Sequence, residues 1–223
     1  VPYSDLYDAL HELMYDNLDT PTSYGDTRDL FKYTDCQNSG GAISSFYSGK
    51  EIGPSWDGGW NREHVWPKSL GGFKNEGAGA DLHHVRPDDV TTNAKRGNLK
   101  FGNADGGSEV KGSTLVSGAL GGYSKGGYFE PLDNVKGDVA RICLYVYVRW
   151  NSDWGADSIT EVFQSVDVLL EWCALDPVDT WELGRNDAAE AITGTRNVFV
   201  DYPELIFVLF GTEIPDDYQT PSG

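Results

Sequence analysis

Hydrophobic positions along the chain recur mostly at helical spacing. Leu6, Leu10, Leu13, Met14 and Leu18 mark an amphipathic helix over 4–18, with Ser4 as N-cap candidate and His11 as a surface or boundary residue. A short helix is expected over Tyr24 to Tyr33, a strand over Ala42 to Tyr47, and a loop bearing Gly and Trp over 48–62. In the second half, Val139, Ile142, Cys143, Val146, Tyr147 and Trp150 keep the i, i+3, i+4, i+7 rhythm. Leu144, Tyr145 and Val148 make the other faces apolar too, which predicts a buried central helix beginning near Asp138. Ile159, Val162, Phe163, Val166, Leu169, Leu170 and Cys173 repeat the rhythm. Asp176-Pro177 then reads as an N-cap and first-turn proline, and Glu204 to Phe210 as a last short helix.

Between these periodic stretches, Gly97 to Gly127 holds ten glycines in 31 residues, with almost no hydrophobic period. It reads as a long irregular loop region. Asp105 and Glu109 within it match no calcium loop and are expected to be solvated. The tail over 211–223 is expected to be loose. With no repeat and no linker, 1–223 reads as a single α+β domain, mainly helical.

Composition narrows the class. A chain 39% hydrophobic and 13% aromatic folds into a globular core. No apolar run approaches the roughly 18 residues of a membrane span, so no membrane partner is expected. Cys36, Cys143 and Cys173 cannot all pair within one chain; Cys143 and Cys173, on apolar helix faces, read as buried thiols. The start at Val1-Pro2 suits either a mature chain cut from a precursor or a fragment boundary.

The net charge of −18 argues against a nucleic-acid partner until its distribution is considered. Residues 61–100 carry seven bases (Arg62, Lys68, Lys74, Arg86, Lys95, Arg96, Lys100) against five acids. Everywhere else, ten bases face thirty acids. An acidic shell around a locally basic cleft keeps a protein soluble and limits background adhesion to polyanions, and it suggests a saline setting.

Three of the four histidines lie inside that window, in two blocks. Trp60-Asn61-Arg62-Glu63-His64-Val65-Trp66-Pro67 is the first. Asp81-Leu82-His83-His84-Val85-Arg86-Pro87 is the second, running on through Asp88, Asp89 and Asn93 to Asn98. Each begins like a strand; the second opens a helix with Pro87, Asp88 and Asp89 at its first turn. Adjacent residues on a strand point to opposite faces, which permits a division of labour. Glu63 can bind a hard cation while His64, with an ordinary pKa near ~6.5, takes a proton from water. Asn93 offers a neutral carbonyl oxygen from the helix. A carboxylate, an amide oxygen and waters suit Mg²⁺, with Mn²⁺ or Ca²⁺ as alternatives, better than Zn²⁺.

These blocks resemble the endonuclease I family of bacterial extracellular and periplasmic nucleases, part of the ββα-metal (His-Me finger) group. The likeness extends to Tyr24-Gly25-Asp26, Gly137-Asp138-Val139-Ala140-Arg141, Leu175-Asp176-Pro177-Val178-Asp179, Arg185-Asn186-Asp187, Thr195-Arg196-Asn197 and Asp201-Tyr202-Pro203-Glu204-Leu205. The resemblance implies a ββα-metal core, metal ligation by Glu63 and Asn93, and His64 as general base. It further implies a secreted or periplasmic, sequence-nonspecific endonuclease that cuts DNA, and RNA as a second substrate, leaving 5′-phosphates.

Around that trio, Arg96, about one turn beyond Asn93, is the expected phosphate clamp. Arg62 and Arg86 are further candidates for substrate contact, and Lys95 a peripheral one. Strand alternation predicts that one of His83 and His84 points inward as a supporting core histidine. Asn98 is expected to tie down the helix end. A monomer is expected. A catalytically idle nucleic-acid or metal-binding module is the main rival reading, opposed by the intact trio. A glycan-processing enzyme would need a facing carboxylate pair, which no pattern here demands.

Overall fold

The structure, a computed structural model, describes residues 4–37, 41–56, 59–154 and 158–221. Residues 57–58 of the expected 48–62 loop and 222–223 of the expected tail lie outside that range. The chain opens with α1 (Ser4–Asp16), then α2 (Tyr24–Thr34). A capping box between Ser23 and Asp26 starts α2, satisfying backbone N–H groups that the first turn leaves unpaired. The strand expected over Ala42 to Tyr47 is reduced to β1 (Ile43–Ser44), paired antiparallel with β2 (Glu51–Ile52).

Next comes the element that matters for function. β3 (Trp60–His64) pairs antiparallel with β4 (Val85–Asp89), so that Glu63 faces Arg86 and His64 faces Val85 in register. The connection carries α3 (Lys68–Gly71) and a 3₁₀ turn at Gly77–Ala80. From β4 the chain passes directly into α4 (Val90–Arg96). The expected strand–loop–strand–helix plan is therefore present, with one shift. Pro87, Asp88 and Asp89 finish the strand, and the helix begins only at Val90. Asp89 is its N-cap, accepting from Thr91 N and Thr92 N.

The glycine-rich stretch is not the irregular loop region its composition predicts. It forms β5 (Lys100–Phe101), β6 (Ser108–Lys111) and β7 (Leu120–Lys125), which join β8 (Tyr128–Pro131) in a sheet of order β5-β8-β7-β6. Glycine occupies buried strand positions, which erases the period-two signal. At Gly122 a Cβ would stand 2.4 Å from Glu130 O and 2.8 Å from the Phe129 ring, so no side chain fits.

The helical half is organised around α5 (Asp133–Trp154), which starts one turn earlier than expected. Leu144 and Val146 are fully buried on nearly opposite faces, each contributing roughly 1.5–3 kcal/mol by leaving water. α1 packs on α5 through Leu10 and Met14. His11, expected at the surface or boundary, is half-buried and bonds through Nδ1 to Val148 O at 2.7 Å.

The expected helix from Ile159 to Cys173 is split. A 3₁₀ turn at Ile159–Glu161 precedes α6 (Val166–Leu175), which Ser165 caps. The break arises because Phe101 of β5 takes the backbone there, donating to Val162 O at 2.7 Å and accepting from Gln164 N at 2.8 Å. α7 (Thr180–Thr193) starts at an Asp179 cap, not at Asp176. Asp176 instead closes α6, and its Oδ2 accepts from Gly137 N. α8 (Val198–Asp201) and α9 (Leu205–Leu209) follow. The tail beyond is irregular, yet Tyr218 packs edge-on against Phe207 at 5.0 Å. All three cysteines are free thiols, and Cys143 and Cys173 are buried as expected. Among the described residues no helix is long and apolar enough to cross a membrane.

Candidate active site

Strand alternation places His64 and Glu63 on opposite faces of β3, and each face has its own support. The His64 ring stacks on Tyr24 at 5.7 Å and lies against Phe73 and His84. Its Nε2 sits 2.8 Å from Gly79 O. A carbonyl only accepts, so Nε2 carries the proton and Nδ1 keeps its lone pair. Burial, reinforced by the charges of Lys68, Arg62 and Arg96 and opposed by the Gly79 bond, takes the His64 pKa down to about 4. The ring is therefore neutral at neutral pH. Gly79 is required at its position, because a Cβ there would lie 1.7 Å from Lys74 O.

On the other face, Glu63 is buried and held through a single oxygen. Its Oε1 accepts from Tyr47 Oη at 2.6 Å and from Arg96 Nη1 at 2.7 Å. Oε2 accepts no hydrogen bond among the described residues. Burial raises the Glu63 pKa; the Arg96 charge and the two bonds pull it back without cancelling the rise. Below lies Asp88, fully buried, which accepts from Ser45 Oγ at 2.7 Å and Tyr47 N at 3.2 Å through Oδ1. Its Oδ2 is buried without a partner, and burial holds its carboxyl well above the usual range.

Asn93 is half-buried on α4, three residues before Arg96, so the two share one helix face. Arg96 on that face bonds Glu63, and α4 packs on β3. Its Nδ2 is buried with no partner.

The expected phosphate clamp is corrected by this geometry. Arg96 is 0% exposed; besides Glu63, its Nη1 donates to His64 O at 3.0 Å and its Nη2 to Val65 O at 2.7 Å. A guanidinium closed off in this way orients Glu63 and the end of β3 and cannot reach a phosphate. Arg62 is half-buried on the His64 side, 3.5 Å over the Tyr24 ring, and donates to Tyr24 O. Arg86 is buried away from the trio, in a separate cavity, and donates to Leu82 O at 3.1 Å. It is not placed for substrate contact beside His64. Lys95 is exposed and its Nζ donates to Lys111 O, tying α4 to β6.

His83 and His84 do not divide into one inward and one outward residue. Residues 82–84 form a turn, and both rings are buried. His83 Nε2 donates to Thr195 O, and His84 donates from Nδ1 to Ala78 O while its Nε2 accepts from Trp66 N. Burial, with the charge of His64 added, takes the His84 pKa down to about 3. Asn98 is exposed and makes no side-chain hydrogen bond among the described residues, so it does not close the helix.

Two supporting residues had no sequence signal. Tyr47 read only as the end of a strand, and Gly79 was not singled out. Their roles arise from contacts across 16 and 15 positions in the chain. Tyr24 was noted for its likeness to the family; its ring proves to be the surface on which both Arg62 and His64 rest.

A family model described as Endonuclease I matches residues 4–204. The extracellular ribonuclease of Bacillus subtilis (strain 168) is 37% identical over 217 residues, covering 89% of this chain and 72% of that protein. That of Bacillus amyloliquefaciens is 37% identical over 216 residues, covering 89% and 71%. This is a phosphodiester-hydrolysing nuclease whose substrate is nucleic acid, and the two relatives are by name extracellular. With the likeness running from α1 to the start of α9 and not confined to the hairpin, the chain belongs to the endonuclease I family.

Proposed function

We propose that the chain is a divalent-metal-dependent, sequence-nonspecific endonuclease that cuts DNA and RNA and leaves 5′-phosphates, acting as a monomer. The observation that carries this reading is the asymmetry at Glu63-His64. Glu63 is fixed by one oxygen with the other unbonded, and His64 is fixed by one nitrogen with the other unprotonated.

The residues present fit a hard cation. Glu63 Oε2 is free to ligate, and the Asn93 amide, whose Nδ2 has no partner, can present its oxygen there by a half-turn about its terminal torsion. No group of three or more His, Cys, Asp and Glu side chains converges among the described residues. Two oxygen ligands with the remainder water suit Mg²⁺, with Mn²⁺ or Ca²⁺ as substitutes, and do not suit Zn²⁺. When bound, the ion would stabilise negative charge on a non-bridging phosphate oxygen and on the leaving oxygen.

The chain's own residues supply the rest. His64 Nδ1 takes a proton from a water aligned with the scissile phosphorus. The water oxygen bonds to phosphorus, the bond to the 3′-oxygen breaks, and the leaving oxygen regains a proton from solvent. The phosphate stays on the 5′ side. Tyr47 and Arg96 hold Glu63, and Tyr24 and Gly79 hold His64. Nothing in this set reads a base edge, which supports cleavage without sequence preference. The names of the two ribonuclease relatives support RNA as a substrate.

Supercoiled plasmid and a structured RNA, each incubated with Mg²⁺ with and without chelator, test the reading. Nicking and RNA cleavage that stop on chelation, with 5′-phosphate ends, are expected. No cleavage with Mg²⁺, Mn²⁺ or Ca²⁺ would overturn it. His64→Ala should fold and bind metal yet hardly cleave, whereas Glu63→Ala should lose metal affinity by titration calorimetry.

A further inference from the structure

A second charged cavity lies behind the catalytic hairpin, with a volume of about 340 Å³. Arg86, Phe46, Asp138, Asp179 and Trp181 are among its lining residues. Arg185 lines it too, its Nη1 donating to Leu82 O, the carbonyl that also accepts from Arg86. Arg86 is only 7% exposed, yet it pairs with no carboxylate among the described residues. Its one hydrogen bond runs from Nη1 to Leu82 O, and its guanidinium stands 5.8 Å from the Phe46 ring. A cation buried this deeply normally has an anionic partner, because its desolvation is otherwise uncompensated.

The nearby acids do not fill that role. Asp35 is engaged by Arg185 and Glu182 by Arg141. Asp179 spends one oxygen capping α7, and Asp138 has a single ion contact, to Arg141 Nη2 at 3.4 Å. Burial, with Glu182, Asp176 and Asp179 adding to it, holds the Asp138 carboxyl well above its usual range. The lining therefore holds one cation, Arg86, without an anion of its own, together with carboxylates that favour a cation. A multiply charged anion such as phosphate would meet those carboxylates. A neutral molecule would leave both charges uncompensated.

We propose that this cavity binds a small zwitterion of the amino-acid class, with its carboxylate on Arg86, its ammonium toward Asp138 and Asp179, and its apolar stem between Phe46 and Trp181. This site is distinct from the nuclease centre. It touches none of Glu63, His64 and Asn93, although Arg86 is the cross-strand partner of Glu63.

Titration calorimetry on the full chain tests this, with glycine, 4-aminobutyrate and 6-aminohexanoate as probes, and butyrate and butylammonium as single-charge controls. At least one of the three zwitterions should bind saturably, at least tenfold tighter than either control. Arg86→Gln and Asp138→Asn should each weaken that binding tenfold or more. Because Arg86 lacks an ion partner, Arg86→Gln should fold with a ligand-free Tm equal to or above that of the parent. Absence of saturable binding by all three zwitterions would overturn the proposal. So would butyrate binding as tightly as the best of them, or affinity unmoved by Arg86→Gln. A crystal soaked with the tightest probe gives a readout that needs no variant: density bridging Arg86 and Asp138 is expected, and density elsewhere refutes the site.

Discussion

At the scale of single residues, the site depends on side chains that fix one atom of a catalytic group and leave the other free. Arg96 is the strongest case, since it spans Glu63 Oε1 and the carbonyls of His64 and Val65. Removing one member of a buried ion pair costs about 3–5 kcal/mol because the remaining charge is stranded. Arg96→Met should therefore lower the urea midpoint by about 1 M or more, together with kcat. A variant with parental stability and only a raised KM would restore Arg96 to the role of phosphate clamp. The buried histidines set a pH dependence of definite sign. His83 and His84 are held below their ordinary pKa, His84 at about 3. Above pH ~6.5 both folded and unfolded forms are neutral, and the stabilisation is complete. As pH falls below that value the unfolded chain binds protons that the folded one refuses, at up to about 1.4 kcal/mol per pH unit per group. The stability advantage of the parent over His84→Gln should therefore shrink between pH 6.5 and 4, as measured by urea unfolding. An advantage that grows on acidification would show that His84 is charged in the fold.

At the scale of elements, the proposed trio depends on the angle at which α4 leaves β4. Asp89 sets that angle. Its Oδ1 caps Thr91 N at 2.9 Å and Thr92 N at 3.2 Å, and its Oδ2 accepts from Leu115 N at 3.0 Å. One carboxylate thus joins hairpin, helix and the strap before β7, and its bonds hold its pKa down. Loss of a helix cap costs about 0.5–2 kcal/mol. Asp89→Ala should reach the upper end of that range by thermal unfolding and should also weaken metal affinity, because Asn93 rides on the released helix. Stability loss with unchanged metal affinity would separate the cap from the site. Most elements were legible from hydrophobic period and cap residues, α1, α2 and α5 above all. The sheet over 97–127 was not, because glycine at its buried positions leaves no alternation to read. The break before Ser165 was not either, since it is made by Phe101 some sixty residues earlier.

At the scale of the whole molecule, the window 61–100 proves more basic at the surface than in sequence, because four of its five acids (Glu63, Asp81, Asp88 and Asp89) are buried against two of its seven bases. Arg86 and Arg96 are buried, which leaves Arg62, Lys68, Lys74, Lys95 and Lys100 with access to solvent. Lys68 and Lys74 line an open groove with Phe73, whose ring lies 6.2 Å from His64. Each phosphate neutralised by a base contributes about −0.9 to the slope of log affinity against log salt on duplex DNA. Five bases bound the slope at about −4.5. Binding of inactive His64→Ala to duplex DNA should stay within that bound, and Lys74→Gln should flatten it by about one. A steeper slope would place phosphate contacts outside the window.

What the sequence by itself determined was the chemistry: which residue types stand next to one another on a strand, and which stands one helix later. The ββα plan follows from local order, because alternation on a strand and the 3.6-residue turn are short-range rules, and the nuclease family from the likeness of the motifs around Glu63, His64 and Asn93, the trio proposed as the site. Only the tertiary structure decided which atom of each residue is free. Gly79 selects the tautomer of His64, Tyr47 and Arg96 select the oxygen of Glu63, and burial turns Arg96 from a substrate contact into a brace while leaving Arg86 unpaired in its own cavity. Those outcomes depend on contacts between segments far apart in the chain and on exclusion of water, neither of which a local pattern encodes.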